Sequence, residues 1–146
     1  MTRYLLDANV FIQAKNLHYG FDFCPAFWEW LERKNGEESV ASVEMVGSEL
    51  AAGEDELTNW AKRQGEKFFL PRDAKVLSAY GKVTKWVTSN GYEPAAISTF
   101  LSVADSWLLA HALTYERVVV THERAADTIK KVKIPNACIG LGIRFM

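Results

Sequence analysis

The chain has 146 residues, 49% hydrophobic and 24% charged, with a formal net charge of -1. That is the composition of one soluble globular domain over 1–146, and near-neutrality neither favours nor excludes a nucleic-acid partner. No apolar run reaches the roughly 18 residues of a membrane-spanning helix, and the opening MTRYLLDANVFIQAKN, with Asp7 in its most apolar part, does not read as a signal peptide. Cys24 and Cys138 fit no metal or redox spacing, so they are expected as reduced core thiols of a cytoplasmic protein.

TRYLLD predicts a first strand and ANVFIQAKN a short helix directly after it. CPAFWEWLERKNG predicts a helix, with Pro25 in its first turn, Gly36 past its end, and Phe27, Trp30 and Leu31 facing the core. ESVAS follows as a short strand, then SVEMVGSELAAG as a helix capped by Ser42 and stopped by Gly53. EDELTNWAKRQ is a further helix. PRDAKVLSAYGKVTKWVTSNG is a long one, expected to break or pair near Gly81. EPAAISTFLSVADSWLLAHALTYE holds one or two helices. RVVVTHE is a strand, ADTIKKV a short helix and NACIGLGI a last strand. Alternation of this kind, with VVV apolar throughout, predicts an α/β fold of three layers, α/β/α, with a central, mostly parallel sheet.

In open parallel sheets, ligands bind beyond the C-terminal ends of the strands. Asp7 ends YLL and Glu123 follows VVVTH, so two central parallel strands would place both carboxylates on one rim. A helix cap also accounts for Asp7, and a solvated loop for Glu123. Asp105 shares a helical face with Leu101, Leu108, Leu109 and Ala112. A carboxylate there is costly unless it is paired or binds a metal, a structural salt bridge being the simpler case. Glu44 and Glu49 differ by roughly 140° around their helix. Val43, Met45, Val46 and Leu50 mark the buried direction, so Glu49 is expected inward and Glu44 in solvent. Lys62, Arg63 and Lys67, extended by Arg72 and Lys75, form one basic cluster, and Lys130, Lys131 and Lys133 another. Solvated helix faces are the default for both.

Taken together, YLLDANVFI, SVEMVGSEL, VADSWLLAHAL and VVVTHE resemble, in order and spacing, the PIN domain. This is the fold of metal-dependent nucleases that include toxins of the VapC kind. YLLDANVFIQAKN, CPAFWEWL and VKIPNACIG are similar to a bacterial PIN-like family of comparable length. The resemblance implies an endoribonuclease in which Asp7, Glu49, Asp105 and Glu123 are catalytic acids holding one or two Mg²⁺ or Mn²⁺ ions. Thr121 and Asn9 stand where the family has supporting polar residues. Glu123 departs from the family's usual Asp or Asn and reaches one carbon further. Lys62, Arg63, Lys67 and the 130–133 cluster become candidates for binding the RNA. A cognate antitoxin and a homodimer are further implications. His18, His111 and His122 offer no zinc-type spacing. Two alternatives stand beside this one. One is a PIN-like module that binds RNA or a partner without catalysis. A phosphatase of the haloacid dehalogenase kind also opens on a strand ending in Asp, but it requires a second Asp where Asn9 stands.

Overall fold

A computed structural model of the protein describes residues 2–146; the side chain of His18 lies outside the described set, and with it the reading of that residue. Four short strands pair in parallel: β1 (Tyr4–Leu6), β2 (Val40–Val43), β3 (Phe69–Leu70) and β4 (Val118–Val120), in the order β3-β2-β1-β4. Tyr4 sits opposite Val40 on one side and Val118 on the other. The helices are α1 (Ala8–Gln13), continued by a π-helical turn at Ala14–His18, α2 (Pro25–Gly36), α3 (Glu44–Ala51), α4 (Glu56–Arg63), α5 (Ala74–Thr88), α6 (Pro94–Ser102), α7 (Ala104–Tyr115) and α8 (Ile134–Leu141). No single helix is long and apolar enough to cross a membrane.

Leu5, Ala41, Val43 and Val119 are fully buried, as strands covered on both faces must be. On one face Phe11, Trp28, Trp60, Phe68 and Phe69 form an aromatic cluster joining α1, α2 and α4 to the sheet. On the other, α7 packs on β2 and β4 and against α5 and α8. Its Ala110 and Ala112 allow close approach, while Leu108 and Leu109 fill the space beneath. Two helix starts are capped locally: at α4 Asp55 accepts the Thr58 amide at 2.9 Å, and at α5 Asp73 the Val76 amide at 2.8 Å.

Several elements differ from expectation. Ser42 caps no helix; it lies in β2, buried, and its hydroxyl donates to the Leu6 carbonyl at 2.6 Å. Trp28 and Leu31 bury the face of α2, whereas Trp30 is 41% exposed. Gly36 ends α2 from inside its last turn, and α5 runs unbroken through Gly81. Phe69 and Leu70 supply β3, a strand too short to stand out in the sequence. ADTIKKV forms no helix. NACIGLGI is the body of α8, not a strand. Pro135 lies in its first turn, and Gly142 ends it at φ 73°, a left-handed conformation suited to glycine. The alternating apolar run fitted both periods, a known ambiguity of short segments. A parallel bridge from Val119 to Phe145 takes the place of the expected strand.

Candidate active site

Asp7 stands where β1 gives way to α1. Its amide donates to Val120 O at 3.0 Å, prolonging the sheet ladder by one residue. It occupies the N-cap position of α1, its carboxylate close to the Ala8 and Asn9 amides but without a well-formed capping bond. Oδ2 instead accepts from Thr121 Oγ1 at 2.9 Å. The residue is 2% exposed. Burial raises its pKa, the Thr121 hydrogen bond opposes the rise, Glu123 adds to it, and the amides of Asn9 and Ala8 oppose it again. Asn9 itself is exposed on α1.

Asp105 lies half-buried in the first turn of α7. Burial, then the negative charges of Asp7, Glu123 and Glu49, push its pKa up to about 7, with only Lys131 pulling it down. Asp105 therefore lies in the field of the three other acids named from the sequence. No basic side chain forms a salt bridge with Asp105 among the described residues.

The two glutamates are anchored by helix starts. Glu49 is not turned inward as its helical angle predicted: it is exposed on α3, Glu44 being the more covered of the two. Glu49 Oε2 accepts the Ala104 amide at 2.7 Å across the gap to α7 and so closes the N-terminus of that helix. Glu123, half-buried, accepts the Ile134 amide at 3.0 Å through Oε1 and closes α8. Neither helix has a side-chain cap of its own, and a carboxylate suits the positive end of a helix. Each glutamate keeps a second oxygen with no hydrogen bond among the described residues. Glu44 lies elsewhere: its Oε1 accepts from Arg72 Nε at 2.5 Å, and Arg72 lies over the Trp107 ring at 4.8 Å.

The structure does not bring Lys62, Arg63 and Lys67 to these acids. Lys62 and Arg63 end α4, the helix that leads back to the start of β3. Lys67 precedes that strand, its carbonyl bonded to Asn35 and its charge close to Glu38. This is the N-terminal edge of a parallel sheet, opposite the acidic rim. The second basic cluster comes closer: Lys130 and Lys131 line a pocket of about 220 Å³ together with Asp105. In the sequence they showed as a basic cluster, with nothing to connect them to Asp105. His122 is exposed and lines a different pocket with Phe27 and Tyr19.

All four acids offer carboxylate oxygens, the hard donors Mg²⁺ or Mn²⁺ takes. Among the described residues no three acid, histidine or cysteine side chains close on one point as a ready-made cage. The set fits a hydrated divalent ion in donor type and in its mutual repulsion, and an ion that keeps several waters needs few direct protein ligands.

Sheet order, helix placement and the rim of acids define a PIN-like α/β fold. The chain is similar to one in the structure of FitAcB from Neisseria gonorrhoeae, at 18% identity and TM-score 0.56, covering 97% of this chain and 95% of that one. It is also similar to one in the structure of VapBC2 from Rickettsia felis bound to a DNA fragment from their promoter, at 18% identity and TM-score 0.54, covering 84% of this chain and 89% of that one. The chain belongs to the DUF4411 family, a domain of unknown function, whose family model matches residues 4–146. No curated protein matches it in sequence.

Proposed function

We propose that the protein is a Mg²⁺- or Mn²⁺-dependent endoribonuclease and the toxin of a toxin–antitoxin pair. The observation that carries this reading is Asp105: a half-buried carboxylate that feels Asp7, Glu123 and Glu49 together and only Lys131 in opposition. Repulsion of that kind persists only where something offsets it, and a divalent cation does so. The solved neighbours, both from PIN-domain toxin–antitoxin complexes, support the same class.

Asp7 and Asp105 would hold the ion, with Glu49 and Glu123 contributing their free oxygens directly or through water. When bound, the ion supplies an activated water and neutralises charge on the phosphodiester. Thr121 fixes the carboxylate of Asp7 through its hydroxyl. Glu49 and Glu123 are held in place by the amides they accept, so the acids are oriented before substrate arrives. Asp105, which carries its proton up to about pH 7, gives that proton up as the cation binds. An antitoxin would find an apolar groove of about 460 Å³ between α2 and the sheet, where Leu6, Phe27, Trp30 and Val120 line the walls. A homodimer belongs to the same proposal and is read by light scattering.

The second reading is a PIN-like module that binds RNA or a partner without cutting. It draws on the helix-start bonds of Glu49 and Glu123, which are structural uses of those acids needing no metal. Incubation of a mixed RNA pool with Mn²⁺, with and without EDTA, separates the two. The nuclease reading expects cuts that vanish in EDTA and in the Asp7→Asn and Asp105→Asn chains. RNA left intact by the native chain in Mn²⁺, or cuts that survive EDTA, would overturn it.

A further inference from the structure

The pocket beside Asp105 has features the acids alone do not explain. Its walls are Phe100 and Val103, from α6 and the joint to α7, and Val132. Thr99, Lys130 and Lys131 stand at its lip, all three exposed. Neither lysine is in a salt bridge among the described residues. The segment carrying them has no regular structure, yet it is tied down at three points. The side-chain amide of Asn136 holds Ala126 at both ends, Oδ1 accepting the Ala126 amide at 2.9 Å and Nδ2 donating to its carbonyl at 3.0 Å. The Glu93 amide donates to Ile129 O at 2.9 Å, fastening the segment to the start of α6. Glu123 holds Ile134 at 3.0 Å. The lysines are thus presented from an anchored loop, and Lys131 is near enough to act on the charge of Asp105.

Two unpaired ammonium groups above an apolar slot, next to a rim of acids, match one unit of a single-stranded polynucleotide. The phosphate meets the lysines and the base enters the slot. We infer that this pocket is a nucleotide subsite, which seats the nucleotide adjoining the cleaved phosphodiester and sets where the strand lies over Asp105. The inference rests on the nuclease reading for its place in a reaction, but it is tested by binding alone.

The probe is a fluorescently labelled single-stranded RNA octamer, titrated by anisotropy in EDTA over a range of salt. The native chain should bind it, and the double variant Lys130→Ala/Lys131→Ala should bind at least about tenfold more weakly. Its log–log salt slope should shrink by about 1.4, at about 0.7 per lost phosphate contact on a single strand. Thr99→Trp, an exposed change that fills the mouth of the pocket, should weaken binding while the melting temperature stays near native. An abasic octamer should bind the native chain more weakly than the full octamer, and a 5′-mononucleotide more weakly still. The triple variant Lys62→Ala/Arg63→Ala/Lys67→Ala should bind as the native chain does. An unchanged slope in the lysine variant, unchanged affinity in Thr99→Trp, or no binding by the native chain overturns the subsite. A native chain that binds in this pattern but cuts nothing in Mn²⁺ leaves the subsite standing and removes the nuclease reading. Cutting with an unaltered lysine variant does the reverse.

Discussion

Thr121 Oγ1 donates to Asp7 Oδ2 at 2.9 Å, joining the end of β4 to the end of β1. The same oxygen accepts the amide of Glu123 at 3.1 Å. One hydroxyl therefore sets both a buried acid and the backbone of its neighbour. Thr121→Val keeps the shape and removes the hydroxyl, stranding both partners. We expect a loss of about 1–3 kcal/mol in urea unfolding, together with reduced RNA cleavage. Thr121→Ser should recover most of both. A valine variant as stable and active as the native chain would show the bridge to be incidental.

Asp105 should make the metal-free protein weakest in alkali. Its folded pKa is raised to about 7 from an ordinary 3.8. It is ionised in both states above that value, and there it opposes folding in full. As pH falls through about 7 the folded state takes up the proton first, so stability rises until the unfolded chain also protonates near 4. In EDTA at pH 8.5, Asp105→Asn should melt higher than the native chain, and the gap should close towards pH 5. Millimolar Mn²⁺ should raise the native melting temperature more than the variant's. A variant that melts lower in EDTA with an unchanged Mn²⁺ shift makes Asp105 a structural residue.

Glu49 and Glu44 separate charge from capping. Glu49→Gln keeps an acceptor for the Ala104 amide but loses the charge, so the fold should hold while cleavage fails. Glu49→Ala should also lose about 1 kcal/mol with the cap. Glu44→Gln only weakens a partly exposed pair with Arg72, worth less than about 1 kcal/mol, and should cut RNA normally. Loss of cleavage in Glu44→Gln with activity retained in Glu49→Gln would reverse the assignment of the two helix faces.

His111 should limit stability in acid. It is 1% exposed, and neither ring nitrogen has a partner among the described residues. Burial first, then Arg117, brings its pKa down to about 4, with Asp73 and Glu44 pulling upward and Arg72 downward. Below about 6.5 the unfolded chain binds a proton that the folded chain refuses, so stability drains away between about 6.5 and 4, by up to about 3 kcal/mol. His111→Leu should flatten that limb relative to the native chain, whatever Asp105 contributes over the same range. Parallel pH profiles for the two proteins would dismiss this role for His111.

Gly140 is needed for the contact between α8 and α5. A Cβ there would collide with the indole of Trp86, a ring with little freedom to yield. Gly140→Ala should cost about 1–3 kcal/mol in chemical unfolding despite the better helix propensity of alanine. Stability equal to native would mean that Trp86 swings aside without loss.

Asp7 and Glu123 were legible because strand ends are visible in sequence: one apolar run stops at Asp7, and another stops shortly before Glu123. Asp105 was marked by the leucines on its helical face, whereas the angle of Glu49 to a buried stripe misled: Glu49 is exposed and Glu44 the more covered of the two. Local pattern placed α2 and α4, since caps, prolines and a period of 3.6 act within a few residues, and it found the stretches of α5 and of α6 with α7 without settling where they break. A local signal does not say what a side chain meets across the fold. Ser42 looked like a helix cap until the neighbouring strand offered it the Leu6 carbonyl. β3 gains its identity from pairing with β2, and α8 from a loop carboxylate that closes its start.

Charge placement shows the same divide. The sequence alone determined that the chain carries two basic clusters, acids just past two strand ends, and further acids on two helices. Only the tertiary structure decided that Lys67 lies beside Glu38 at the far edge of the sheet, while Lys131 lies beside Asp105. The physical reason is distance. Hydrophobic period and capping act over one or two helical turns, whereas these electrostatic and hydrogen-bonded neighbours are brought together by chain crossovers of tens of residues, whose end points the packing of the whole domain sets.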